Sequence, residues 1–233
     1  MKKLNICLIL TLTLTFSAFA GDAAVFKEIG FSEDGSVFIF GQYGKTDVNY
    51  QAWAEIYTVD VEKNEFVKNE VYKSAPSKES AFISGKKAFE NLLENTEWKL
   101  SKYKASLEGQ NLLYVCEDEK KSASDEIVFK DYEASSDSQE IYWHVKLVPY
   151  VEGNGKNCRS SFFINLEKKD AQGNTLLKTT AGTPSYKRKG ITAYRISSIF
   201  TDKSSKNMVI VVEKTLEDDK GTSVRYMVET LKF

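Results

Sequence analysis

Val25-Phe26-Lys27-Glu28-Ile29-Gly30-Phe31-Ser32-Glu33-Asp34-Gly35-Ser36-Val37-Phe38-Ile39-Phe40-Gly41-Gln42 reads as two apolar-rich strands around a polar turn. Val25 to Phe31 and Ser36 to Gln42 supply the strands, and Asp34-Gly35 supplies the turn chemistry of a hairpin. A polar loop, Gly44 to Tyr50, leads into a third strand, Trp53 to Asp60. Its period of two puts Trp53, Glu55, Tyr57 and Val59 on one face and Ala54, Ile56 and Thr58 on the other. A short fourth strand follows near Phe66 and Val67.

The same grammar recurs further on. Leu100 to Leu107, Leu112 to Cys116, Glu126 to Tyr132, Ile141 to Tyr150, Ser160 to Glu167, Thr175 to Thr179, Ala193 to Phe200, Met208 to Glu213 and Val224 to Leu231 read as strands. Polar turns such as Asp170-Ala171-Gln172-Gly173-Asn174 and Asp218-Asp219-Lys220-Gly221 separate them. The one helical pattern spans residues 77–95, with Ser77 as N-cap and Phe82, Phe89, Leu92 and Leu93 near one face. Long strands with tight turns and no alternating helices predict a mostly β fold of antiparallel sheets, β-sandwich-like or partial propeller-like, with one helix. Residues 21–233 make one β-rich domain or two subdomains meeting near residue 135, at the polar break Ser135-Ser136-Asp137-Ser138.

The first twenty residues follow a different logic. Lys2 and Lys3 precede an apolar run from Leu4 to Phe16, and Ser17-Ala18-Phe19-Ala20 ends it with an A-x-A site. This predicts a cleaved signal peptide with the cut after Ala20, and a periplasmic or secreted protein. The run is short of the ~20 apolar residues a spanning helix needs, and no later stretch is long and apolar enough to cross a bilayer. Removing Lys2 and Lys3 shifts the net charge from −1 to −3. That balance gives no reason to expect nucleic acid or an anionic membrane surface as partner, and leaves an unknown protein or envelope ligand.

Cleavage also removes Cys7 and leaves Cys116 and Cys158. In an oxidising compartment these two predict one disulfide, which would contribute about 4 kcal/mol; two separate thiols are the alternative. With one histidine they do not make a zinc site, and no metal or cofactor is implied.

Reaction motifs are missing. His144 alternates with core-facing Trp143 and Val145 and is expected on a solvent face with Tyr142 and Lys146. No G-x-S-x-G, G-x-G-x-x-G, Walker-type loop or H-E-x-x-H occurs. Carboxylate pairs such as Glu33-Asp34, Glu117-Asp118 and Asp218-Asp219 fall in turns. Tyr186-Lys187-Arg188-Lys189-Gly190 is the one local basic cluster, a loop suited to solvent or to phosphate groups. Aromatics crowd the first strands, and Tyr43, Tyr50 and Trp53 mark the candidate binding surface.

The Gly30-Phe31-Ser32-Glu33-Asp34-Gly35 start, with Glu55-Ile56-Tyr57-Thr58-Val59-Asp60, resembles one blade of a TolB-type propeller and does not recur. Together with a helix after the first strands, Tyr194-Arg195-Ile196 and Val224-Arg225-Tyr226-Met227-Val228, it also resembles a bacterial family of predicted secreted proteins of unknown function (domain of unknown function 2259). Where that pattern has E-G-P before the arginine, this chain has Lys220-Gly221-Thr222-Ser223. The resemblance implies export and carries no activity with it. The function expected is a non-catalytic binding or envelope-associated protein. A carboxylate-based hydrolase and a purely structural envelope component are the alternatives.

Overall fold

The computed structural model describes residues 22–117 and 125–233. The leader, its cleavage site and Cys7 lie outside the described residues. The strands are β1 (Asp22–Ala23), β2 (Val25–Phe31), β3 (Val37–Lys45), β4 (Ala52–Asp60) and β5 (Glu65–Ser74) before the helix α1 (Gly85–Leu100). After it come β6 (Gln110–Val115), β7 (Ile127–Lys130), β8 (Ile141–Glu152), β9 (Arg159–Asp170), β10 (Thr175–Ala181), β11 (Arg188–Lys189), β12 (Ile191–Asp202), β13 (Asn207–Asp218) and β14 (Gly221–Lys232).

Three sheets result. The central one has the order β1-β14-β13-β12-β6, the second β10-β9-β8-β7 with β11 on β9, and the third is the meander β2-β3-β4-β5. Pairing is antiparallel throughout except for the short parallel contact of β1 with β14. The blade-like motif forms the first three strands of the meander.

The layers follow from strand periodicity. Met208, Ile210 and Val212 of β13 point into a core with Trp143, Val145, Leu147, Phe162, Ile164 and Leu166 of the second sheet. Val209 and Val211 point the other way, onto Phe38, Phe40 and Val59 of the meander. A strand buried on both faces needs no polar alternation, which is why Met208 to Val212 is one unbroken apolar run. The far face of the meander, Val37, Ile39, Ala54 and Ile56, is covered by Ala88, Phe89 and Leu100 of α1. The order of layers is therefore second sheet, central sheet, meander, helix.

The helix differs from the sequence expectation at both ends. Ser84, not Ser77, is the N-cap, its Oγ accepting from Lys87 N at 3.1 Å. Ser77 instead closes a small turn with Ser80 ahead of a 3-10 turn at Glu79–Phe82. Gly85 starts the helix because a side chain there would meet Gly44 backbone O at 2.7 Å. Residues 98–100 continue the helix, and 3-10 turns replace the strand expected over Leu100 to Leu107.

The expected disulfide is not formed. Cys158 is buried, and its Sγ donates to Ile191 O at the start of β12. The Cys116 N–H donates to Ser197 O, six residues further along β12. Six residues of strand span about 20 Å, whereas a disulfide needs Cα atoms within about 7 Å. The two cysteines are anchored to different points of the same strand, Cys158 at its start and Cys116 at its middle.

Candidate functional site

The three aromatic residues singled out in the sequence go to three places. Tyr43 packs under α1, its ring 5.4 Å from Phe89. Tyr50 is 69% exposed in the β3–β4 loop, with a left-handed φ of 51°. Trp53 alone sits in a cleft, one of about 680 Å³, within the usual range for small-molecule sites.

β4 points Trp53 toward the central sheet, and the indole is 5% exposed. Its Nε1–H donates to Asp22 Oδ1 at 3.1 Å. The Arg225 guanidinium lies over the indole, 4.1 Å from the ring centroid. Arg225 also donates to Asp22 Oδ2 at 2.5 Å and to the Asp22 and Val224 carbonyls at 2.8 Å each. The parallel pairing of β1 with β14, Asp22 opposite Ser223, brings residues from the two chain ends together. The arginine is thus held on three sides: ring below, carboxylate at the tip, carbonyls at the side.

Beside this triangle runs a polar row. Register sets Gln42, Glu55 and Lys73 opposite one another on β3, β4 and β5. Glu55 accepts from Lys73 at 2.8 Å, from Gln42 at 2.9 Å and from the Tyr57 hydroxyl. Burial works against its charge, but those donors, Lys73 foremost, outweigh it and hold the carboxyl below its ordinary range. Gln42 uses its carbonyl to take Tyr226 N–H at 2.8 Å, which ties the row to β14.

The walls are the β3–β4 loop (46–51), the end of β5 (73–76) and the β13–β14 turn (218–223). They bring Asp47, Asp218 and Lys220 to the rim together with Thr46, Thr222 and Ser223. A shallower groove of about 340 Å³ lies between β2 and β6, lined by Phe26, Leu107, Leu112, Val115 and Phe200. Among the described residues, no cluster of three or more His, Cys, Asp or Glu could hold a metal ion.

A family model described as "Predicted secreted protein (DUF2259)" matches residues 39–232. The chain belongs to this family. No curated protein and no solved structure matches it. No helix among the described residues is long and apolar enough to cross a membrane. Within the DUF2259 match fall Trp53, Glu55, Lys73 and Arg225; Asp22 lies before it. The segment Lys220-Gly221-Thr222-Ser223 is a wall of the cleft. Sequence reasoning reached Trp53 through its aromatic neighbourhood, and met Arg225 only as part of the closing motif, with no role in a site. It missed Asp22, which lies on another sheet, and Lys73, which meets Glu55 only through the register of β4 with β5; no local spacing rule gives either.

Proposed function

We propose that the protein is a non-catalytic binding protein of the cell envelope, exported by its leader with cleavage after Ala20, and that the cleft beside Trp53 is its ligand site. The observation that carries this reading is the floor of the cleft. Trp53, Asp22 and Arg225 already hold one another, as do Glu55 and Lys73, with the buried Gln42 supporting Glu55 from behind. A floor ordered in advance leaves little side-chain freedom to be lost when a ligand arrives. The same commitments argue against proton chemistry. A general acid needs a raised carboxyl pKa, and Glu55 is held ionised. The mixed charges and hydroxyls of the rim suit a small polar ligand that both donates and accepts.

The test is thermal unfolding against a panel of sugars, amino acids, short peptides and cell-wall fragments. A ligand at about 100 times its Kd adds about 2.7 kcal/mol, which raises Tm by about 5 °C or more at this size. Asp47→Ala with Lys220→Ala, both on the rim, should abolish the shift while the protein stays folded. Turnover of any panel member, or shifts that survive the rim substitutions, would move the function elsewhere.

A further inference from the structure

The basic run Lys187-Arg188-Lys189 takes no part in the cleft, and strand register decides what stands beside it. β11 sets Lys189 opposite Arg159 of β9, and β9 sets Arg159 opposite Glu152 of β8. Further along the same pair, Val148 faces Phe163 and Lys146 faces Asn165. Lys146, Val148 and Tyr150 alternate with the core residues Val145 and Leu147, so they occupy the outer face of the sheet. Tyr150 is 52% exposed, and its ring lies 5.9 Å from that of Phe163.

Three cations frame this aromatic pair: Lys146 on one side, Arg159 and Lys189 on the other. All three are exposed, and among the described residues none has a carboxylate within 4.0 Å. The contrast with the rest of the sheet is sharp, because Lys130, Lys168, Lys169 and Lys178 are each ion-paired. Lys187 is likewise paired, with Glu152 at 2.7 Å. Three unpaired cations thus share one aromatic-bearing face of a chain whose net charge is −1.

We propose that this outer face of β8, β9 and β11 docks on an anionic lipid surface. The charge complementarity is with headgroup phosphates. Lys146 and Arg159 stand six strand positions apart in register, about 20 Å. That spread suits a planar array of phosphates and not a single anion. Tyr150, with an apolar ring and a polar tip, has the amphipathic character that places tyrosine at headgroup level. Such attraction adds up over the cations and is screened by salt.

The experiment is co-sedimentation of the purified protein with phosphatidylcholine vesicles, with and without about one-third phosphatidylglycerol. At about 50 mM salt the anionic vesicles should bind at least about fivefold more protein, and about 300 mM salt should remove the excess. Arg159→Glu with Lys189→Glu should lower binding to the level of neutral vesicles. Tyr150→Ser should weaken it about two- to threefold. Lys68→Glu with Lys86→Glu, an equal charge change on exposed lysines of β5 and α1, should leave it intact. Equal binding to both vesicle types, binding to neither, or a double reversal at Arg159 and Lys189 that binds as well as the parent would overturn the proposal.

Discussion

Lys214 shows how one residue can be worked against by its surroundings. It sits on β13 between Tyr194 of β12 and Arg225 of β14, and its neighbours in charge are Arg188, Arg225 and Lys73 against the single acid Glu55. Burial first, and then Arg188, lower its ammonium to about 8. In the unfolded chain a lysine titrates near 10.4. Between pH 8 and that value the unfolded chain binds more protons, so stability rises with pH; below 8 the cost is constant and full. Lys214→Met should therefore stabilise the protein at pH 7 by on the order of 2 kcal/mol, and the gain should fade as pH approaches 10.4. Urea denaturation at pH 7, 9 and 10.4 measures it, and a gain independent of pH would mean that packing alone is responsible. Nothing in Glu213-Lys214-Thr215 announces this environment, since an alternating strand of such composition reads as half-exposed. The same holds for the cleft. Trp53 was legible as an aromatic of the first strands, but Asp22 and Arg225, 203 residues apart, meet only through the pairing of β1 with β14.

At the scale of elements, strands were legible and the boundaries of the helical region were not. Strand signals are local: Asp34-Gly35 turns the chain, and Ile141 to Leu147 alternates core with surface. The helix start was decided by tertiary contact. Ser77 and Ser84 are equally good caps by residue type, but only Ser84 is followed by a glycine that lets the helix approach Gly44. Tyr103, three residues past Leu100, packs on the same cluster, so helical spacing continues where the composition suggested a strand. The docking of α1 depends on a second close approach, because a side chain at Gly41 would meet the Phe89 ring at 2.2 Å and Glu55 O at 3.0 Å. Gly41→Ala should cost about 2 kcal/mol through overpacking. Phe89→Ala should cost about 3–5 kcal/mol through the cavity it leaves. In the double variant the alanine methyl enters space vacated by the ring, so the two costs should fall short of additivity by about 1 kcal/mol or more. Additive costs in chemical denaturation would show that the sheet, and not the ring, yields to the methyl.

At the scale of the molecule, the central sheet joins chain segments that the sequence pattern keeps apart. β1 and β6, which precede residue 135, pair with β14 and β12, which follow it. The inner strands of that sheet bury both faces, one against the second sheet and one against the meander. If the central sheet opens, the second sheet loses the core it shares with it, and the meander loses one of its two packed faces. Thr230 adds a direct tie: its N–H donates to Asn64 Oδ1 and its hydroxyl to Val61 O, both at 2.8 Å, fastening β14 to the β4–β5 turn. The expected consequence is one cooperative unfolding unit, with the helix as its most separable part because its apolar face packs on the outer side of the meander and takes no part in the two cores between the sheets. In native-state hydrogen exchange, the most protected amides of β3, β9 and β13 should share one opening free energy and one denaturant slope, while those of α1 open at lower cost. Two subdomains divided near residue 135 would instead give β3 and β9 different slopes, each scaled to the surface its own half exposes. Because a slope reports how much surface an opening exposes, it separates these outcomes even where the two free energies happen to coincide.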